Sequence, residues 1–385
     1  MRERKSSEVI DVIPQVLQLL QENSDIGMIL QTLFSLSFII YLFYAQRIQA
    51  MTMLRQVEGT LRKVKAIKDE GRRITIETIK EIGKPEVDPT PLIDRFIEFF
   101  AVTPVSLDPA GIIGKLDHLL NLSDDTVKAE VMAMAPEASE AEINNLENLL
   151  GATHQLNAYY KVIRHFYLLG KKTMNIYVIM QVHMVLPLLV REIEAVSSAV
   201  QAFKDGIPIG DSVGPMVAAK LMRGHDWSEV AKEMVAAEVP FMERTLIVTK
   251  AKGPGGSVGK PGAAIENIIN GANEDKKVKA VIMVDAAMKL EGEKTGAVHE
   301  GIGATIGGIG VEKFKIEEIV REYNIPVYGI AIKQDISQAI GPMVEEIYKA
   351  VDVAIESVER MIKDRTEEGD IVIVAGIGNT IGVAQ

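Results

Sequence analysis

The sequence predicts an α/β protein in three parts: an N-terminal transmembrane helix, an α-helical middle region, and a C-terminal three-layer α/β/α domain built on a parallel sheet. Three observations carry that prediction. An uncharged run lies between Asp25 and Arg47, helical patterning without strand-like runs continues to about residue 205, and four short β-branched runs follow Gly206. With 385 residues the chain exceeds the roughly 250–300 at which one core stops growing. The segments read as 1–25 outside the membrane, 26–45 spanning, 46–84 a basic juxtamembrane helix, 85–205 helical, and 206–385 α/β.

The span is IGMILQTLFSLSFIIYLFYA, Ile26 to Ala45. Helical residues rise 1.5 Å each, so about 20 cover the hydrocarbon layer of roughly 30 Å. Tyr41, Phe43 and Tyr44 gather at one end, as interfacial aromatics do. Arg47, Arg55, Arg62, Lys63, Lys65, Lys68, Arg72 and Arg73 follow it, whereas Arg2, Arg4 and Lys5 precede it. The positive-inside rule then gives a single-pass cell-membrane protein, N-terminus outside and body in the cytoplasm. The bilayer is therefore the first expected partner. A membrane-complex partner and self-association stay open.

The helix after the span is expected to end at Gly83 and Pro85. Two short amphipathic segments follow, broken by Pro104 and Pro109. Ser123 with Asp124 and Asp125 suggests a helix start, and Ser139 with Glu142 a capping box. Residues 176–190, IYVIMQVHMVLPLLV, read as a core helix running on to about Phe203, kinked at Pro187. His183 on it reads as a hydrogen-bonded core histidine. A second membrane segment is the alternative.

The β-branched runs are TLIVT (245–249), AVIMV (280–284), VYGIAI (327–332) and IVIVAG (371–376), with helices about 262–270, 315–323 and 337–363 between them. Runs apolar on both faces suit a parallel sheet covered by helices, with right-handed crossovers. In such sheets ligands sit beyond the carboxyl ends of the strands. The loops there are rich in glycine and charge: KAKGPGGSVGKPG, DAAMKLEGEKTG and GIGNT. Candidate ligand-binding residues are Lys252, Gly255, Gly256, Lys260, Gly376, Gly378 and Asn379, the loop amides cradling an anion and the lysines supplying charge. A P-loop is excluded, because Pro254 stands for its first glycine and Pro261 for its Ser/Thr. Zinc-hydrolase and serine-hydrolase motifs are missing.

The chain has no cysteine, which excludes disulfides and thiolate chemistry. The formal charge of −11 argues against nucleic acid as a partner.

Several strings in order, from AQRIQ after the span through SLDPAGI, PIGDSVGPMVAAKLM and VDAAMKLEGEKTG to VAGIGNTIGVAQ, resemble an archaeal family known as domain of unknown function 1512. That resemblance implies an archaeal setting but no activity. A second resemblance covers the C-terminal domain. IVIVAGIGNT is similar to the first strand of the hydrogenase-maturation endopeptidases, GDSVGP to their acidic loop, and VIMVDAAMKLEGEKTG to their strand ending in D-A. The G-x-G-N strand comes last here, which implies a circular permutation. By this resemblance Asp211 and Asp285 match metal-binding carboxylates, with His299 the nearest histidine, and a divalent metal is the implied cofactor. Ser212 stands where that family has glycine. Asp211 reads equally as a helix N-cap. No catalytic residue is assigned.

The function these features leave open is a membrane-anchored protein whose cytoplasmic domain binds a small ligand or metal, hydrolase-like through Asp211 and Asp285. The alternative is a non-enzymatic, phosphate-ligand-binding or scaffold subunit of a membrane complex.

Overall fold

A computed structural model describes residues 24–102, 104, 111–272, 277–308 and 310–385. The chain divides into two compact units. The smaller comprises the chain up to Arg62 together with Val162–Pro187; the larger comprises Lys63–Lys161 and Leu188–Gln385.

The expected span and juxtamembrane helix form one helix, α1 (Ser24–Gly83), with a bend of 43° between Leu42 and Tyr44. Most large apolar side chains from Met28 to Met51 are exposed, Phe34 at 72%. Helices α2 (Thr90–Ile97), α3 (Ile112–Met134), α4 (Glu140–Thr173) and α5 (Ile176–Asp205) follow. Pro109 lies outside the described residues. Ser123, Asp124 and Asp125 fall within α3, not at its start. The Ser139–Glu142 capping box is present: Glu142 accepts from the Ser139 amide at 2.8 Å, and Ser139 Oγ accepts from the Glu142 amide at 3.4 Å.

The core-helix expectation for 176–190 needs correction. One helix does run through Pro187, and its later half is buried at Ile193, Val196, Ala199 and Val200. Its first half instead exposes Tyr177, Met184, Val185 and Leu188. An apolar run alone cannot say whether protein or another apolar phase covers it. His183 is hydrogen-bonded, to Gln56 at 2.6 Å, but it is not core.

Within the smaller unit, Ala50 and Leu54 of α1 pack against Ile179, with Tyr167 and Met174 beside them. Gly170 permits that approach, because a Cβ there would lie 2.8 Å from Ile179. Within the larger unit, Thr75 of α1 shares a buried hydrogen bond of 2.6 Å with Thr153 of α4.

After a 3-10 turn (Gly210–Ser212) come α6 (Val213–Met222), β1 (Trp227–Ala231), β2 (Met234–Phe241), β3 (Arg244–Ala251) and α7 (Pro261–Gly271). Then follow β4 (Val278–Met288), β5 (Val298–Ile302), α8 (Val311–Glu322), β6 (Val327–Gln334), α9 (Ile336–Ile340), α10 (Glu345–Arg365) and β7 (Ile371–Gly376). The sheet order is β1-β2-β3-β7-β4-β6-β5. The four expected strands are its parallel centre, β3-β7-β4-β6. The sheet as a whole is mixed, not parallel, because β1, β2 and β5 pair antiparallel at its edges. Edge strands need not be apolar, and every residue of β5 except Val298 is exposed.

Helices α6 and α10 cover one face through Val213, Val217, Val351 and Val358; α7 and α8 cover the other through Ile265 and Ile316. Gly341 and Pro342 divide the long helix expected over 337–363.

Candidate functional site

Strand β7 is last in the chain but central in the sheet, so its end meets the start of α6. Two glycines make that approach possible. A Cβ on Gly214 would lie 2.2 Å from the Ile377 carbonyl, and one on Gly376 would lie 2.4 Å from the Gly214 carbonyl. Gly378 has φ +129°, and its Cβ would fall 2.1 Å from the Asp211 carbonyl, so only glycine fits.

The turn at 210–212 therefore lies over the ends of β7 and β4. There the Asn379 amide donates to Asp211 Oδ2 at 2.8 Å. Asp211 does not cap α6: its carboxylate holds the β7 loop, and Ser212 at the N-cap makes no capping bond.

Asp285, 5% exposed, ends the buried part of β4. It accepts the amides of Ala286 at 2.7 Å and Gly307 at 3.3 Å. Burial drives its carboxyl well above the usual range, and the nearby Asp211 adds to that. Burial also raises Asp211, against the Asn379 amide. Burial and the neighbouring carboxyl thus both favour the neutral form of Asp285.

Asp211 and Asn379 also line a cavity of about 560 Å³ within the larger unit, in the size range of small-molecule sites. Its other walls come from α3, α4, α5 and the β1–β2 turn. Three ion pairs stand there: Lys128–Glu233 at 2.5 Å, Lys232–Asp125 at 2.6 Å and Lys260–Asp124 at 3.2 Å. Burial would raise Glu233, but hydrogen bonds from Lys128 and Ser257 outweigh it and hold the carboxyl low.

Glu147 differs from these acids. Its Oε1 is buried with no hydrogen-bond partner. Burial pushes its carboxyl up to about 7, despite the attraction of Lys128.

The remaining candidates separate. Gly256 lines the cavity, but its amide donates to Asn145 at 2.9 Å and its carbonyl accepts from Asn148 at 2.6 Å. The Ser257 and Gly259 amides are bonded as well. Gly255 packs on Ala141. Lys252 pairs with Glu229 at 2.7 Å and Glu140 at 3.3 Å. The Gly256, Ser257 and Gly259 amides thus have protein acceptors, and carboxylates face both lysines, which weighs against an anion cradle.

His299 is corrected too. It sits on β5 opposite Ala331, and Ala331 separates it from Asp285 in the same row of the sheet. His299 is exposed at the sheet edge, whereas Asp285 is buried with its oxygens taken by the Ala286 and Gly307 amides. Among the described residues, no three His, Cys, Asp or Glu side chains are arranged to hold a metal.

Glu147, Lys128, Lys232 and Glu233 were not singled out from the sequence. Glu147 carried one signal: it stands in LENLL, between leucines that are all buried. Lys250 is the other residue missed. It is fully buried, its ammonium held by the Ala251 carbonyl and by Gln385 Oε1, and burial lowers it to about 8.

Fold and site together define a mixed α/β protein whose helical region and strand-end loops enclose a charged, ligand-sized cavity. Residues 31–206 match the model described as protein of unknown function (DUF1512) N-terminal domain, and residues 209–384 match domain of unknown function (DUF1512) C-terminal. The chain therefore belongs to the DUF1512 family. No curated protein matches it.

Proposed function

We propose that this protein is a membrane-tethered receptor or enzyme whose cavity takes a small polar molecule rich in hydrogen-bond donors. The observation that carries the reading is the cavity of about 560 Å³ in which Glu147 and Asp211 form no ion pair among the described residues. The cavity lysines are already neutralised by Asp124, Asp125 and Glu233. Hydroxyl or amino groups would satisfy the two uncompensated carboxyls, whereas a polyphosphate would have to break ion pairs. The bilayer tether is the exposed apolar stretch of α1, with the body cytoplasmic by the flanking cations.

The test is a thermal-shift screen of the full chain in detergent against polyols, amines, amino acids and sugar phosphates. A saturable rise in the midpoint, absent in Asp211→Asn, supports the reading. No response at millimolar concentration refutes it.

A hydrolase-like reading rests on the Asp211–Asp285 pair. One carboxyl protonated beside one ionised can act as general acid and base. If the permuted endopeptidase likeness holds, Asp211 and Asp285 would hold a divalent metal, which would activate water. Calorimetric titration with Mg²⁺, Mn²⁺ and Zn²⁺, with Asp285→Ala as control, decides whether the pair takes a metal.

A further inference from the structure

We infer that the α4–α5 hairpin tip, within Val162–Pro187, is a second membrane-contact surface, seated on the anionic headgroups beside the α1 tether. This rests on the reading of α1 as that tether. Three independent observations support it.

The first is charge. The chain as a whole carries −11, yet no Asp or Glu lies between Asp25 and Glu58 or between Glu147 and Glu192. Those stretches hold Arg47 and Arg55, then Lys161, Arg164, Lys171, Lys172 and Arg191. Of these, Arg47, Arg55, Arg164, Lys171 and Lys172 belong to the smaller unit, and a local excess of cations is the sign an anionic leaflet attracts.

The second is exposed apolar surface. Tyr177 is 70% and Met184 68% exposed, and Phe166, Leu168 and Val185 are also open. The first part of α5 is long and apolar enough to cross a membrane, yet only 17% of that window is buried in the protein. Lys171 and Lys172 close α4 at the hairpin turn, with Tyr177 two residues into α5. Cations and a tyrosine bordering apolar surface are the composition of a membrane interface.

The third is position. The hairpin packs on α1 at Ala50 and Leu54, and Gln56 bonds His183. Ala50 and Leu54 lie five and nine residues past Ala45, about 8–13 Å along the helix. The polar layer on each side of a bilayer is about 5–8 Å thick. Because α5 runs from Ile179 to His183 as α1 runs from Leu54 to Gln56, the turn before Ile176 lies on the bilayer side of that level, at the headgroups, where Lys171 and Lys172 meet phosphate.

The absence of cysteine makes the test direct. The single variants Phe34→Cys, Tyr177→Cys, Met184→Cys and Lys349→Cys are labelled with an environment-sensitive fluorophore in the full chain. The protein is reconstituted into phosphatidylcholine vesicles with and without phosphatidylglycerol, and quenched from spin-labelled lipid. Labels at 177 and 184 are expected to be quenched and blue-shifted in the anionic vesicles, the Lys349 label to stay aqueous, and the Lys171→Glu/Lys172→Glu double variant to weaken quenching at 177 but not at 34. Aqueous labels at 177 and 184 with a quenched label at 34 overturn the hairpin contact and leave the tether standing. An aqueous label at 34 overturns the tether itself, and the 177 and 184 labels then judge the hairpin separately.

Discussion

Replacing Glu147 by Gln tests the cavity at its least compensated atom. Burial moves this carboxyl from 4.5 to about 7. For a wholly buried group that corresponds to about 3.4 kcal/mol. Glu147 keeps some exposure and lines the cavity, and solvent screening there reduces the figure to about 1.5–2 kcal/mol. The folded pKa is raised, so the folded state binds more protons than the unfolded state between pH 4.5 and 7. Stability associated with Glu147 is present in full below 4.5 and is lost as pH rises through 7. Glutamine cannot ionise and removes that dependence. The assay is chemical unfolding of both proteins in the same detergent from pH 4.5 to 8, followed by the emission of Trp227, the single tryptophan. The parent is expected to lose about 1.5–2 kcal/mol relative to the variant across that window. Parallel pH curves would refute the reasoning, because Glu147 would then be hydrated or paired.

Lys250→Met is expected to show the opposite pH trend. With the folded pKa lowered from 10.5 to about 8, the cost of the buried ammonium is complete below pH 8 and is relieved as pH rises to 10.5. The parent should therefore gain up to about 3 kcal/mol over the variant between pH 7.5 and 10.5 in the same unfolding assay. Asp285→Asn removes a buried carboxyl that burial and Asp211 both disfavour. It should stabilise the fold by about 1 kcal/mol at pH 8 in the same unfolding assay. Gly378→Ala forces a Cβ against the Asp211 carbonyl at positive φ; a loss of about 2 kcal/mol or more in the unfolding midpoint is expected.

Much of the architecture was legible along the chain. TLIVT, AVIMV, VYGIAI and IVIVAG are apolar on both faces, and they became β3, β4, β6 and β7 because only central strands bury both sides. WSEVA and VHEGI were not legible as strands, since an edge position lets polar residues stay wet. The G-x-G-N turn and the acidic Gly210–Gly214 loop are visible as strings, and the structure brings Asp211 and Asn379 into one hydrogen bond. Their meeting depends on β7 inserting between β3 and β4, a long-range choice with no local signature. Lys252, Lys260 and the amides of Gly256, Ser257 and Gly259 resemble an anion cradle because spacing reveals donors but not the partners folding gives them.

The sequence by itself determined the α1 run without charge, the four central strands, the lack of thiol chemistry and the family. Each is a property of local composition or of ordered strings, and survives whatever the chain packs against. Only the tertiary structure decided which carboxyls are uncompensated. Asp124, Asp125, Glu147, Asp211, Glu233 and Asp285 are chemically alike in the sequence. Folding gives lysines to three of them and leaves Glu147, Asp211 and Asp285 without an ion pair among the described residues. The reason is that a carboxyl's chemistry depends on its burial and on the charges a few ångströms away, and both come from residues distant in the chain.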